Sequence, residues 1–217
     1  MRSIAGPPTL LACALLAACA ASRATPAPPR HEPGSLNPPA SANPTYTYYA
    51  VTGTTAPELA VAMRRQAPPE GGYGRARWGV SWTMRWEPAI GMGRACHITA
   101  ANVTLRTEVR MPHWDPPPGA SPELVAQWRS FIDALRVHEN GHLEIAVQAQ
   151  REVERTLRRT EAPSCTQMQS VGNQAAERVL AELRGRERAY DERTRHGATQ
   201  GAVWPPRPEN VPTTPSS

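Results

Sequence analysis

The sequence predicts an α+β domain, in which a small antiparallel sheet with a short helix is followed by two long antiparallel helices. Residues 75–86, RARWGVSWTMRW, place apolar side chains at every second position, which is typical of a half-buried strand. An apolar stripe at helical spacing runs from Leu124 to Leu157, and Pro163 ends it. A second helical stripe follows directly. Two long helices joined by so short a turn are expected to lie antiparallel.

The first strand and the short helix precede this pattern. YTYYAV, residues 46–51, is rich in aromatic and β-branched side chains and predicts a strand. Thr55 with Glu58 three residues later matches a capping box, and Pro57 suits the first helical turn. A short helix is therefore predicted to end near Gln66.

A second alternating segment predicts the partner of the Trp-rich strand. CHITAANVTLRTEV, residues 96–109, has predicted core positions at Ile98, Val103, Leu105 and Val109. The alternation slips near Ala100 and Ala101, where a β-bulge would restore the phase. We expect the two strands to pair antiparallel.

The helical half begins at Ser121-Pro122-Glu123, which supplies an N-cap, a first-turn proline and an acidic first turn. Nothing breaks the stripe before Pro163, so the pattern predicts one helix of about 38 residues. The second helix is predicted to turn these residues inward: Met168, Val171, Ala175, Val179 and Leu183.

The chain ends carry signals of export. The apolar run from Thr9 to Ala18 is too short to span a bilayer as a mature helix and is typical of an export signal. It ends in LAAC at Cys19, which resembles the lipobox of bacterial lipoproteins and implies lipid on that thiol as a membrane anchor. We predict a periplasmic or cell-envelope lipoprotein. Secretion after cleavage elsewhere in the Ala-rich stretch is the alternative.

Composition divides the rest of the chain. Residues 1–19 form the predicted signal, 20–44 a Pro/Ala-rich linker, 45–204 the domain, and 205–217 a disordered Pro-rich tail. All 24 basic residues are Arg, and the net charge is +5. No basic run is interleaved with aromatic residues, so we expect no nucleic-acid partner.

The four cysteines separate by position. Cys13 lies in the signal and Cys19 is the lipid site, which leaves Cys96 and Cys165 in an oxidising compartment. Neither has a second ligand at CxxC or CxxH spacing, so a disulfide is favoured over a metal site. The bridge would close a loop of about 70 residues and stabilise the fold by about 4 kcal/mol.

The stretch HENGH fits the HExxH motif. His138 and His142 are four residues apart and share one face of a helix, so they can offer two nitrogens to one zinc ion. Glu139 comes one position later, where a carboxylate can take a proton from water without binding the metal. Gly141 costs about 1 kcal/mol in a helix relative to Ala, which suggests that a neighbouring group approaches closely there.

The third ligand has several candidates. If the second helix runs back antiparallel from Pro163, its residues 182–187 lie level with His142, which favours Glu182 or Glu187. His196 would overshoot unless the helix ends near Arg195 and Gly197 reverses the chain. Asp191 is a further candidate, and His113, before the long helix, is a weaker one.

A family resemblance bears on this choice. HENGHLEIA, residues 138–146, together with YDERTRHG, residues 190–197, resembles the bacterial domain-of-unknown-function 922 family, described as predicted secreted zinc-dependent proteases. The resemblance spans about residues 46–203. It implies a zincin-like protein in which His196 belongs to the site, with Asp191 as an alternative ligand or as hydrogen-bond partner of a histidine. We follow this resemblance over the reflection of the helices and predict His138, His142 and His196 as the metal ligands.

These patterns favour an exported zinc metallopeptidase with one Zn²⁺ per chain and a peptide or protein substrate. Glu139 would activate water, and Tyr190 would help to hold the oxyanion or stand beside the ligands. One alternative is an envelope lipoprotein with a structural metal or a vestigial site that acts in binding or assembly. Another is amide hydrolysis on the cell wall with the same site.

Overall fold

The structure is a computed structural model that describes residues 36–67, 72–91 and 95–206. The predicted signal, Cys19, the first part of the linker and the tail from residue 207 lie outside these residues, so their assignments stay predictions. No helix in the described part of the chain is long and apolar enough to cross a membrane.

The order of elements confirms the predicted α+β class, with a short helix early in the chain and two long helices after the sheet. The elements are β1 (Thr45–Ala50), α1 (Ala56–Gln66), β2 (Arg75–Pro88), β3 (Cys96–His113), α2 (Pro122–Arg158), β4 (Glu161–Ala162), α3 (Cys165–Thr194) and a short 3-10 helix (Ala198–Gln200).

The sheet is mixed rather than purely antiparallel, which corrects one part of the prediction. Its order is β1-β3-β2, with β4 added on β3. The expected antiparallel pairing of β2 with β3 is confirmed, with Val80 opposite Leu105. Strand β1 instead pairs parallel to β3, with Thr45 opposite Glu108. Because β3 lies between β1 and β2, the chain needs the α1 crossover to reach the far edge.

The predicted β-bulge lies one residue earlier than expected. Arg85 is opposite Ala100, whereas Trp86 is opposite Ile98, so Thr99 is the extra residue. The bulge returns Ile98 to the buried face, and Ile98 is 6% exposed.

Both predicted helix starts are present, with one difference in detail. The Thr55 hydroxyl accepts a hydrogen bond from the Glu58 N–H, but the Glu58 carboxylate accepts from the N–H of Thr54, at 2.7 Å, rather than from Thr55. Helix α2 begins as expected, since the Ser121 hydroxyl accepts from the Leu124 N–H at 3.1 Å. The last helical residue of α2 is Arg158, so one long helix is confirmed.

Helix α2 contributes to two hydrophobic clusters. Its first part packs with β1, α1 and the Trp204 indole, whose N–H donates to the Ala56 carbonyl at 3.0 Å. Its last part packs with β3 and α3. The linker side also reaches the first cluster, because Ala42 is buried and its carbonyl accepts from the Thr107 hydroxyl at 2.8 Å. The HENGH segment lies near the middle of α2, and the buried residues that flank it, Leu135 and Leu143, both belong to the first cluster.

The predicted disulfide between Cys96 and Cys165 is confirmed, with the two Cα atoms 5.0 Å apart. It joins the first residue of β3 to the first residue of α3. Such a bridge forms in an oxidising compartment, so it is consistent with export.

Candidate metal centre

Two histidines of α2 and one aspartate of α3 converge on a single point. His138 Nε2 lies 3.3 Å and His142 Nε2 lies 3.1 Å from the same oxygen, Asp191 Oδ1. Ligand atoms of the three residues all lie within 4.8 Å of one another, which is close enough to hold one metal ion. Both imidazoles are buried, since α2 packs this face against α3. The expected shared face of His138 and His142 is therefore present.

The other nitrogen of each imidazole faces an oxygen outside the cluster. His138 Nδ1 is 3.1 Å from the amide oxygen of Gln200. His142 Nδ1 is 3.5 Å from Glu187 Oε1, an ion-pair separation, and has no hydrogen-bond partner among the described residues. Glu187 is itself held by Trp78 of β2, whose indole N–H donates to it at 2.6 Å. Oxygen partners of this kind orient metal-binding histidines and fix their tautomer.

The chemistry of these donors fits a divalent cation. When each imidazole carries its proton on Nδ1, toward Gln200 or Glu187, both Nε2 lone pairs face the Asp191 carboxylate. Three acceptors so close repel one another unless a proton or a metal ion stands between them. Two histidines and a carboxylate form a donor set that catalytic zinc sites use, with one position left open.

Without a metal, protons relieve the repulsion among the three side chains. Burial lowers the pKa of His142, but the carboxylates of Asp191 and Glu187 outweigh it and raise that pKa to about 9. Burial likewise raises the pKa of Asp191, but His138 and His142 outweigh it, so this pKa falls well below its usual range. The cluster therefore attracts positive charge strongly, as a metal site must.

Glu139 is buried beside the cluster and is fixed by β2. Its Oε2 accepts a hydrogen bond from the Ala76 N–H at 2.6 Å. A Cβ at Gly74 would stand 2.5 Å from its Oε1, so the backbone of the strand approaches the carboxylate closely because residue 74 is glycine. Burial raises the pKa of Glu139, and the neighbouring His142 and His138 oppose this shift. A carboxylate held in this way has an elevated affinity for protons.

Tyr190 of α3 packs against the imidazoles of His138 and His142. Its hydroxyl donates to the backbone carbonyl of His138 at 3.1 Å and also lies 3.2 Å from Gln200 Nε2, which donates to it. A Cβ at Gly141 would overlap the Tyr190 hydroxyl and ring. The close approach that the mid-helix glycine suggested is therefore made by Tyr190. The structure places this side chain as a packing group, and its expected role at the oxyanion stays a prediction.

The end of α3 returns the chain to the site. Helix α3 ends at Thr194, and Arg195, His196 and Gly197 follow with φ values of 49°, 53° and 83°. A Cβ at Gly197 would lie 3.0 Å from His138 Cγ, so the turn packs directly on the ligand. This left-handed turn carries the chain into the 3-10 helix and brings Gln200 to His138. It matches the reversal at Gly197 that the sequence suggested.

The remaining candidate ligands lie at different distances from the centre. His196 is at the rim, with 51% of its side chain exposed and its Nδ1 3.5 Å from Asp191 Oδ1, so its role as metal ligand stays a prediction. Glu182 is exposed and pairs with Arg186. His113, the last residue of β3, pairs with Asp115 at the surface.

The centre forms the wall of an open cleft of about 300 Å³ between β2, α2 and α3. The cleft gives a ligand access to the metal-binding residues and to Glu139. Its remaining lining comes from the start of β2 and the residues before it, from one face of α3 and from the turn after α3, and includes these residues: Gly72, Gly74, Arg75, Ala76, Arg184, Glu187, Arg188 and His196.

Sequence reasoning missed Trp78 and Gln200. The alternation of residues 75–86 predicts only that Trp78 lies on the buried face of its strand, and nothing in that pattern indicates an indole N–H that reaches Glu187. Gln200 follows a turn whose path depends on three left-handed residues, two of which are not glycine. A spacing rule could not have found either residue, since both come from separate elements that meet only in the folded chain.

The comparisons with known proteins place the chain in a family without naming an activity. No curated protein and no solved structure matches it, so the predicted likeness to zincins stays a prediction. The family described as "Bacterial protein of unknown function (DUF922)" matches residues 46–197, which include both long helices and the whole metal centre. The resemblance in the HENGH and YDERTRHG segments is confirmed at the level of the family, and the chain belongs to this bacterial family of unknown function.

Proposed function

We propose that this protein is an exported zinc-dependent metallopeptidase that hydrolyses peptide bonds. One observation carries the proposal: His138, His142 and Asp191 converge on one point at the wall of an open cleft, with Glu139 beside them. A zinc ion bound there supplies positive charge that polarises a carbonyl group and makes water more acidic.

Protein side chains hold the cation and orient the histidines in the proposed mechanism. His138, His142 and Asp191 would hold the cation with side chains from α2 and α3. The outer oxygens of Gln200 and Glu187 keep both imidazoles in the tautomer that presents Nε2.

Glu139 is the general base of the proposed reaction. The Ala76 N–H fixes one carboxylate oxygen, which leaves the other to accept a proton from water in the cleft. Burial raises its pKa, which makes it a better proton acceptor, and the positive charge of a bound cation limits this shift so that it stays ionised. The same carboxyl group can then return the proton to the leaving amine.

The setting supports a substrate outside the cytoplasm. The Cys96–Cys165 disulfide and the predicted export signal both suit the cell envelope. An envelope lipoprotein with a structural metal is the competing function, and it differs in one respect: it has no need of Glu139.

The test compares metal content with hydrolysis in the full-length chain. Mass spectrometry is expected to find about one zinc per chain, with iron and manganese measured in the same samples because His/His/carboxylate sites also bind them. Glu139→Gln is expected to keep the metal and to abolish cleavage of a mixed peptide library. Glu144→Gln, an exposed glutamate of the same helix, is the matched control and should retain both. Metal with unchanged hydrolysis in Glu139→Gln would refute the mechanism, and metal without any cleavage in wild type would support the structural role.

A further inference from the structure

One face of α3 presents two arginines to the cleft. Arg184 and Arg188 are four residues apart, as are Glu187 and Asp191, and the second pair is offset from the first by three residues, so all four lie on the same side of the helix. All four line the cleft that holds the metal centre. Along this face the two arginines therefore alternate with Glu187 and Asp191, whose carboxylates face the histidines of the centre.

Arg184 and Arg188 are exposed and form no ion pair or hydrogen bond with any other described residue. Arg186 of the same helix behaves differently, since it pairs with Glu182 at 2.6 Å and with Glu152 at 3.5 Å. Like charges four residues apart destabilise a helix. No ion pair with a described residue offsets the repulsion between Arg184 and Arg188.

The carboxylates of the cleft form their contacts with other groups and not with these arginines. Glu187 accepts from Trp78 and faces His142, while Asp191 faces both ligand histidines. Glu139 accepts from the backbone of β2. On the opposite wall, Arg75 at the start of β2 adds a third guanidinium to the lining.

We infer that this cleft binds a carboxylate of a peptide substrate through Arg184 and Arg188, beside the metal centre. Guanidinium groups suit this ligand, since they offer paired donors to both carboxylate oxygens. The inference rests on the proposed function and specifies its substrate class. The carboxylate has two sources with the same chemistry: an acidic side chain near the scissile bond, or the free carboxyl terminus.

The experiment measures binding apart from cleavage. Fluorescently labelled peptides on one neutral scaffold are titrated into the zinc-loaded full-length Glu139→Gln protein and followed by anisotropy. The set comprises a central glutamate with an amidated terminus, a neutral peptide with a free terminus, a neutral amidated peptide, and a central arginine with an amidated terminus. Mass spectrometry follows cleavage of the same peptides by the wild-type protein.

We expect tighter binding of one carboxylate peptide than of the neutral amidated peptide, and the preferred peptide identifies the source of the carboxylate. Arg184→Gln and Arg188→Gln should each raise its Kd about tenfold. Arg186→Gln, which removes the same charge outside the cleft, should leave the Kd unchanged. Circular dichroism checks that the variants fold.

The outcomes separate the inference from the function. Equal binding of all peptides, or an equal loss with Arg186→Gln, would overturn the inference whether or not peptides are cleaved. Cleavage of all peptides at one rate would also overturn it, while the metallopeptidase proposal would stand. Arginine-dependent carboxylate binding without cleavage of any peptide would support the cleft as an anion-binding site and refute the peptidase.

Discussion

The phenol ring of Tyr190 lies parallel to the imidazole of His138, with ring centroids 5.1 Å apart and 11° between the planes. The same tyrosine donates its hydroxyl to the backbone carbonyl of His138. One side chain of α3 thus contacts both the ring and the backbone of His138, a candidate metal ligand of α2. The geometry of the centre therefore depends on how closely the two helices pack.

The closeness of the helices depends on Gly141. Gly141→Ala would place a methyl group against the hydroxyl and ring of Tyr190, which is fully buried and has no room to retreat. Overpacking of this kind costs about 2 kcal/mol, which outweighs the stabilisation from the higher helix propensity of alanine. We expect a lower free energy of unfolding in urea and weaker zinc binding by calorimetry.

Gly185→Ala is the matched control, because a Cβ there meets only the end of Arg188, at 3.8 Å. It should stabilise the protein by about 1 kcal/mol, since helix propensity acts alone. If Gly141→Ala were as stable as Gly185→Ala and bound zinc normally, close packing against Tyr190 would not explain the glycine.

Glu187 is expected to control metal affinity without binding the metal. Glu187→Gln keeps the size of the side chain but removes the charge that faces His142 Nδ1 and accepts from Trp78. Loss of such an outer partner typically weakens metal binding about 10- to 100-fold. Competition with a fluorescent zinc chelator measures the change. Glu182→Gln alters an exposed glutamate of the same helix and should have no effect; an equal loss there would indicate a general charge effect.

The position of Glu187 shows how far the sequence could predict the centre. Reflection of the two antiparallel helices about Pro163 predicts that Glu187 lies level with His142, and in the structure Glu187 does face His142. The reflection says nothing about rotation around the helix axis, and the two nitrogens of an imidazole point in opposite directions. The sequence therefore could not tell that Glu187 meets Nδ1 while Asp191, one turn later, meets Nε2.

The sheet shows the same limit of prediction from the sequence. Alternation located β2 and β3 and predicted their pairing, because neighbouring strands with a short connection form hairpins. It could not place β1, whose parallel pairing with β3 depends on the crossover through α1. The cost of Gly141 in a helix predicts a close neighbour, yet that neighbour, Tyr190, lies 49 residues later and is defined only by the packing of α2 on α3.

Asp191 and His196 can be ranked as ligands by substitution. Asp191 Oδ1 lies at the point where both Nε2 atoms meet, so Asp191→Asn should weaken zinc binding by more than about 100-fold, beyond the loss of an outer partner. His196→Ala should cost less, because its imidazole is half-exposed and lies 3.5 Å from Asp191 rather than within the cluster. Zinc titrations of both variants measure the difference. An equal and complete loss in His196→Ala would establish it as a ligand, as the family resemblance implies.

The disulfide is expected to stabilise the fold without shaping the metal centre. It joins residues 69 positions apart, at the starts of β3 and α3, while the metal ligand of α3 lies near the other end of that helix. The double change Cys96→Ala and Cys165→Ala should therefore lower the free energy of unfolding by about 4 kcal/mol through the freer unfolded chain. Urea denaturation measures this loss, and reduction of the wild-type protein should reproduce most of it. Zinc affinity in the folded variant should stay within about twofold of wild type. Loss of a metal-ligand contact would change the binding free energy by much more than RT ln 2, the free energy of a twofold change. A large drop in zinc affinity at unchanged stability would contradict this assignment and tie the bridge to the metal centre.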